Sequence, residues 1–143
     1  MSKSNYLEKK ALDHALGVAT FAAPANQFLA LHTASAGEDG SGAELSSAAS
    51  GQCAGYARAC ICFNATCIDT GRATGPTANI EFTNSSTTTS WPQICYFGIW
   101  DCSSTTANAC GNLLYYGSLT EAKTIAAGDT LRFTADSICI TEN

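Results

Sequence analysis

Short segments with strand character dominate this sequence and limit what it can fold into. After one helical stretch, about seven runs of alternating or clustered apolar residues follow, each roughly four to eight residues long. Glycine, serine, threonine and aspartate separate the runs, and these residues favour turns. Regular spacing of this kind is typical of antiparallel sandwiches and barrels. We therefore expect a mainly β, single-domain antiparallel β-sandwich or barrel with one N-terminal α-helix, spanning residues 1–143.

The helix is predicted over residues 4–18, ahead of a β-domain over residues 25–143. Ser4 stands where an N-cap side chain would satisfy the first free backbone amides, and Gly17 marks the end. Two interpretations of the apolar stripe remain open: it covers one end of the protein's own sheet, which we favour, or it anchors the chain to a partner subunit. The stripe repeats at helical spacing and consists of Leu7, Ala11, Leu12, Ala15 and Leu16.

The run over residues 94–101 is the most hydrophobic and is expected at the centre of a sheet. A loop rich in glycine, serine and alanine covers residues 35–51, and its length predicts a mobile or functional segment. The strands are expected at residues 26–33, 56–63, 78–83, 94–101, 113–119, 130–133 and 137–140.

Eight cysteines in 143 residues, without an export signal ahead of them, are the second constraint. A reducing cytosol rarely holds a protein with so many thiols, whereas oxidising exteriors hold many. Asp13 and His14 interrupt the apolar stretch that a secretory leader needs. We therefore expect synthesis in a cytoplasm and function in an oxidising environment, unless the thiolates bind a metal.

One disulfide can be predicted from the positions of two cysteines in the sequence. Cys102 and Cys110 bracket the loop between the strands expected at residues 94–101 and 113–119, so a hairpin would bring their sulfur atoms together. Closing so short a loop stabilises a fold by about 2–3 kcal/mol. Eight half-cystines allow on the order of 100 pairings, so the partners of the other candidates stay open. These are Cys53, Cys60, Cys62, Cys67, Cys95 and Cys139.

A metal site is the alternative use of the thiols. Structural zinc sites usually combine two CxxC-like knuckles. The four cysteines from Cys53 to Cys67 contain no CxxC, and their spacings match no common knuckle pair. We therefore expect no metal and no cofactor.

Nothing in the chain predicts catalysis. His14 and His32 are the only histidines, and no pattern places either beside a nucleophile and an orienting group. The acidic residues Glu38, Asp39 and Glu44 fall in the long loop and lack the calcium-loop pattern, so a solvated acidic loop is expected. We therefore expect no enzyme.

Charge and hydropathy disfavour two classes of partner. The net charge is −5 and the basic residues do not cluster as nucleic-acid binding requires. No apolar run approaches the roughly 20 residues that span a membrane. We expect neither a nucleic-acid partner nor a membrane partner.

Motifs spread over nearly the whole chain carry a family resemblance through their order and spacing. They are Ala15-Leu16-Gly17, Leu31-His32-Thr33, the Gly40, Gly42 and Glu44 loop, Tyr56-Ala57-Arg58, Ile80 and Phe82, Trp91, Gly98-Ile99-Trp100-Asp101, Gly111-Asn112-Leu113-Leu114, Gly117-Ser118-Leu119 and residues 127–133. Together they resemble a family of small phage and prophage virion proteins often labelled tail fibre proteins. Its members look like cysteine-poor β-domains, so the thiols here are an addition.

The resemblance implies a non-enzymatic virion structural protein, made in the host cytoplasm and carried on the particle exterior. Its implied partners are other virion proteins, either the major capsid protein or tail proteins, together with further copies of itself. A fibre shaft would contain repeats or a heptad seam, and this chain has neither. We therefore favour a capsid cement or decoration protein, with disulfides that form after lysis.

Two other functions stay open. The first is a tail-associated or tail-fibre module that contacts the host surface. The second is a carbohydrate-binding sandwich, in which exposed aromatic rings would stack on sugars. The candidate rings are Trp91, Trp100, Tyr115 and Tyr116.

Overall fold

The computed structural model describes residues 1–46, 53–64, 71–103 and 111–141. Across these ranges the chain is mainly β with one N-terminal helix, which confirms the expected class. The elements are β1 (Ser2–Lys3), α1 (Asn5–Ala15), β2 (Gln27–His32), β3 (Ala59–Ile61), β4 (Arg72–Gly75), β5 (Ile80–Thr83), β6 (Ile94–Trp100), β7 (Leu113–Lys123), β8 (Thr130–Phe133) and β9 (Ile138–Thr141).

The strands form three antiparallel sheets. The largest has five strands in the order β1-β7-β6-β2-β3, while β4 pairs with β9 and β5 pairs with β8. Strand β6 lies at the centre of the large sheet, as its hydrophobicity predicted. Strands β6 and β7 are antiparallel neighbours, with Trp100 opposite Leu113. The hairpin on which the predicted disulfide depends is therefore present.

Several strand boundaries differ from the sequence prediction. Strand β3 is much shorter than the expected 56–63, because Tyr56 and Arg58 contribute side chains to a buried cluster rather than to the strand. Strand β7 extends four residues past the expected end at Leu119. Strands β1 and β4 were not predicted, since each is short and neither has an apolar alternation.

The two faces of the large sheet bury different surfaces. Leu29, Leu31 and Ile99 belong to the main core cluster, which also takes side chains from β5, β8 and β9. On the opposite face, Ala30 and Trp100 pack with Leu113 and with residues of the loop that follows β2.

The part of that loop that the structure describes is packed, which speaks against the mobile alternative of the prediction. Ala36 and Leu45 are fully or almost fully buried. Gly40, at a φ of +74°, lies so close to the Trp100 ring that a Cβ would come within 2.8 Å of it. Between residues 33 and 46 the loop therefore serves as a lid on the second face of the sheet.

The N-terminal helix is anchored at its first turn. The Ser4 hydroxyl accepts a hydrogen bond from the Leu7 backbone amide, at 3.2 Å, and donates one to the Leu113 carbonyl. The Ser4 amide donates to the Leu114 carbonyl at 2.9 Å. Ser4 is thus the N-cap, as predicted, and it also ties the helix to β7. No helix in the described ranges has the length and apolar character needed to cross a membrane.

Candidate functional site

Three of the four large exposed apolar side chains in the described ranges belong to the N-terminal helix and the residues that follow it. Leu12, Leu16 and Val18 are 60%, 73% and 72% exposed, and Met1 is the other large exposed hydrophobic residue in the described ranges. Isolated exposed apolar residues are ordinary on a monomer, whereas a contiguous group marks an interaction site. We name Ala11, Leu12, Ala15, Leu16 and Val18 the N-terminal apolar ridge.

The way the helix lies on the sheet explains why this ridge is free. Tyr6 and Leu7 pack against the main core, and Lys10 and Asp13 are half-buried beside them. With 3.6 residues per turn, these positions occupy one side of the helix and leave Leu12 and its neighbours on the other. The expectation that the whole apolar stripe covers the protein's own sheet is therefore wrong. Of the stripe, only Leu7 contacts the core.

The chain beyond the helix holds Val18 at the end of the ridge. Gly17 has a φ of +70°, a conformation that glycine adopts without strain and that commonly ends helices. The Val18 amide then donates to the Asp13 carbonyl at 2.8 Å. The Phe21 amide donates to Nδ1 of His14 at 3.3 Å. His14 therefore contributes to the end of the helix.

Charged side chains border the ridge. Glu8 and Lys9 are exposed near the first turn of the helix. Lys9 forms an ion pair with Asp13 one turn later, with Nζ 2.5 Å from Oδ2. The ridge is therefore an apolar strip with an acidic and a basic side chain beside it.

A buried polar cluster lies behind the loop lid and involves three residues that local sequence did not connect. The Arg58 guanidinium bonds both carboxylate oxygens of Glu44, at 2.7 and 2.8 Å. The Tyr56 hydroxyl donates to the same carboxylate at 3.0 Å. Arg58 also stacks over the Trp100 ring at 4.0 Å and donates to the Cys102 carbonyl at 2.8 Å. The Glu44 side chain is thus buried and paired, contrary to the expectation for this residue, whereas Glu38 and Asp39 are exposed as expected.

Tyr56 stays protonated in this cluster. Burial, followed by the negative charge of Glu44, raises the pKa of the Tyr56 hydroxyl. The protonated hydroxyl can donate to Glu44 while it accepts from the Leu31 amide at 3.1 Å. The cluster therefore joins β2, the loop lid and the segment before β3.

His32 belongs to the same region and cannot act as a catalytic base. Its Nδ1 lies 2.8 Å from the Gly42 carbonyl, so Nδ1 carries the proton and Nε2 is an acceptor. Burial lowers the pKa of His32, while the Gly42 carbonyl and Glu44 oppose that shift and Arg58 adds to it. The side chain is fully buried, and a base must reach its substrate.

Two buried nitrogen atoms in this region have no hydrogen-bond partner: Nε2 of His32 and Nε1 of Trp100. Both lie against Gly98, where a Cβ would come within 2.9 Å of the Trp100 nitrogen and 3.0 Å of the His32 nitrogen. Gly98 therefore permits close packing at this point of β6. The absence of a side chain there leaves room for the two rings.

Five of the disulfide candidates are free thiols in the structure, so it gives no support for disulfides at these positions. Burial raises the pKa of Cys53. Cys102 is not among the free thiols. Cys67 and Cys110 lie outside the described residues, so the Cys102–Cys110 pairing stays a prediction. The free thiols are Cys53, Cys60, Cys62, Cys95 and Cys139.

The part of the chain that the structure describes contains no candidate metal site. No group of three or more His, Cys, Asp or Glu side chains there is close enough to hold an ion. Cys60, Cys62 and Cys139 are exposed, whereas Cys53 is buried.

The aromatic residues considered for sugar stacking are unsuited to that role. Trp91 is 1% exposed, and its ring meets Tyr56 edge-on at 5.9 Å between centroids. Trp100 is buried under the loop lid. Tyr115 packs against the main core and Tyr116 against the opposite face. The rings therefore offer no shared platform, and neither Trp can stack on a sugar.

An apolar cavity of about 330 Å³ lies beneath α1. Leu7 and Phe21 line it from the helical side, and Ile99, Leu114 and Ile140 line it from the sheets. Ligand pockets usually combine an apolar lining with several convergent polar groups. Gln27 and Tyr115 are the polar residues in this lining, so the N-terminal apolar ridge is the better candidate for function.

Comparison with known protein families gives one match over almost the entire chain. Residues 2–141 match the family Gp80, described as podophage GP4 fiber I protein gp80. No curated protein matches the chain. The family match supports the tail-fibre alternative and lends no support to the capsid cement or decoration protein favoured from sequence.

Proposed function

This chain belongs to the Gp80 family of podophage fiber I proteins, and on that premise we propose that it is a structural subunit of a phage tail fibre. It is a virion component and associates with other virion proteins. The observation that carries the proposal is the extent of the family match, which runs from β1 to the end of β9. The capsid cement interpretation has no comparable support.

Two features of the structure are consistent with the proposal. The N-terminal apolar ridge offers a surface for contact with neighbouring proteins in the particle. The main core cluster draws side chains from Leu29 through to Ile140, which supports one domain over residues 1–143. We propose that the domain joins tail proteins and further copies of itself, rather than the major capsid protein.

A non-catalytic role is part of this proposal. The two histidines have structural contacts, since Nδ1 of His14 accepts from the Phe21 amide and Nδ1 of His32 bonds the Gly42 carbonyl. The buried ion pair of Glu44 and Arg58 is closed off from solvent by the loop lid. These contacts support positioning of the fold rather than turnover of a substrate.

The location of the protein in the particle tests the proposed function. Virions would be separated into heads and tails on a density gradient, and the chain quantified in each fraction by gel densitometry. We expect it to follow the tails and to be absent from tailless heads. The major capsid protein serves as the control for head recovery. A chain that remains on tailless heads in hundreds of copies would contradict the tail-fibre assignment and restore the cement interpretation.

We further propose that Cys102 and Cys110 form a disulfide at the neck of the β6–β7 hairpin. The antiparallel pairing of Trp100 with Leu113 supports it, because the two cysteines flank the loop that joins these positions. Peptide mapping of mature virions without reductant should find the two joined. Cys102→Ser should lower the free energy of unfolding by about 2–3 kcal/mol, whereas Cys139→Ser should have little effect. Recovery of Cys110 as a free thiol from mature virions would refute the pairing.

A further inference from the structure

We propose that the loop lid over residues 33–46 is acid-sensitive and opens when His32, which lies beneath it, takes up a proton. The inference goes beyond the proposed fibre role, because it concerns a response of the fold to pH. It starts from the position of His32, the last residue of β2, whose side chain is 0% exposed. The other histidine of the chain, His14, is exposed on the helix.

The lid is bonded both to the strand end and to the His32 ring itself. The Thr33 amide donates to the Ala43 carbonyl at 3.0 Å, so the lid folds back directly after β2. Nδ1 of His32 lies 2.8 Å from the Gly42 carbonyl, which also belongs to the lid. Opening of the lid would therefore break the bond to the ring and expose the ring to water.

The closed lid has a place for the neutral ring only. Nδ1 donates to the Gly42 carbonyl, so an additional proton would go to Nε2. A Cβ at Gly98 would lie 3.0 Å from this nitrogen and 2.9 Å from Nε1 of Trp100, which is itself an N–H donor. Protonated Nε2 would thus face a donor, and the new charge would be buried. Burial of a charge without a partner is strongly unfavourable.

The charged neighbours of His32 do not remove this cost. Glu44 from the lid favours the protonated ring, and Arg58 from the segment before β3 opposes it. The Glu44 carboxylate already accepts from Arg58 and from the Tyr56 hydroxyl. From β6, the ring facing His32 is the neutral Trp100, stacked at 6.4 Å between centroids. Burial has the largest effect, and the pKa of His32 is lowered as a result.

The stability of the closed lid therefore depends on pH in a defined direction. With the lid open, His32 would have the pKa of a histidine in water, about 6.5, whereas the closed lid lowers that pKa. Above about pH 6.5 the ring is neutral in both forms, and the closed form has its full stability. As the pH falls below this value, the opening constant rises toward tenfold per pH unit, until His32 titrates in the closed form.

Hydrogen–deuterium exchange of the full chain between about pH 7.5 and about pH 5, corrected for intrinsic exchange rates, tests the proposal. The hydrogen-bonded lid amides are those of Thr33, Gly42 and Leu45. Their protection should fall toward tenfold per pH unit below about pH 6.5. They should also be less protected than the Ser4 and Trp91 amides at each pH, as local opening requires.

Two histidine variants identify the group that titrates. His32→Asn keeps a donor near the Gly42 carbonyl but does not titrate in this range, so the pH dependence of lid protection should disappear. The smaller side chain lowers lid protection at every pH, and the slope with pH is therefore the quantity to compare. His14→Asn is the matched control, since it removes the exposed histidine and should keep the wild-type slope. In the wild-type chain, NMR of the His32 ring should show titration at a lower pH than for histidine in water.

Three results would overturn the inference. A His32→Asn variant that keeps the wild-type slope would assign the pH dependence to Glu44 or to another group. Equal protection of the lid amides and of the Ser4 and Trp91 amides at every pH would mean that only global unfolding occurs. A His32 ring that titrates as histidine does in water would show that the lid does not oppose its protonation.

Discussion

Glu44→Gln is expected to lower the free energy of unfolding by about 3–5 kcal/mol, the cost typical of a buried ion pair that loses one partner. Arg58 and Glu44 are 1% and 7% exposed, so the substitution leaves a guanidinium charge buried without its counter-charge. Glutamine has nearly the same shape and can still accept from Tyr56, so the change isolates the charge. Urea unfolding followed by Trp fluorescence measures the difference.

An exposed ion pair in the same protein provides the control. Arg132 and Glu81 are 58% and 47% exposed, and such pairs contribute at most about 1 kcal/mol. Glu81→Gln should therefore change the unfolding midpoint only slightly. If the Glu44 and Glu81 variants were destabilised equally, the loop lid would not be excluding water from Arg58.

Removal of both the Glu44 and the Arg58 charge tests whether the unpaired buried charge causes the loss of stability. The double variant Glu44→Leu with Arg58→Met should be more stable than Glu44→Gln, because no unpaired charge remains buried. Recovery should be partial, since the Cys102 carbonyl loses its Arg58 donor and the Tyr56 hydroxyl loses an acceptor. A double variant less stable than Glu44→Gln would assign the main role to these hydrogen bonds.

Trp91→Ala is the second substitution with a large expected effect, a loss of about 3–5 kcal/mol in the free energy of unfolding. The ring is 1% exposed, packs edge-on against Tyr56, and donates from Nε1 to the Ala54 carbonyl at 3.3 Å. Its removal opens a cavity in the main core and leaves that carbonyl without its donor. Differential scanning calorimetry should show a melting temperature lower by roughly 10–15 °C.

Two further variants calibrate the Trp91 result. Trp91→Phe keeps part of the packing and should fall between wild type and Trp91→Ala. Leu16→Ala removes an exposed side chain and should change the stability of the monomer by less than about 0.5 kcal/mol. A melting temperature unchanged in Trp91→Ala would contradict the burial of the ring. Loss of host or glycan binding in this variant would reflect unfolding, since the ring cannot reach a ligand.

Local sequence patterns predicted the elements well where the pattern was strong. The helix begins after Ser4, β6 lies within its predicted range, and β8 coincides with its predicted range. These patterns depend on residues close in the chain, such as a capping side chain or a run of apolar residues. Strands β1 and β4 lack such a run and form because a strand distant in the chain, β7 for β1 and β9 for β4, pairs with them.

The N-terminal apolar ridge could be predicted only in part, and the way in which the helix is held explains why. Periodicity identified the apolar stripe that contains Leu12 and Leu16, but the direction in which it faces depends on what holds the helix. Ser4 bonds β7 and Leu7 enters the core, and these contacts turn the stripe toward solvent. The sequence therefore shows that the apolar stripe exists, whereas tertiary contacts decide that it is exposed.

By itself, the sequence determined the class of the fold, the helix with its cap, the central position of β6 and the resemblance to phage fibre proteins. All of these follow from neighbouring residues or from the order of motifs. Only the tertiary structure decided that Glu44 is buried against Arg58, that Trp91 is core, and that the N-terminal apolar ridge is free. Burial and pairing depend on residues distant in the chain, and their energies arise only when the fold removes water from both partners.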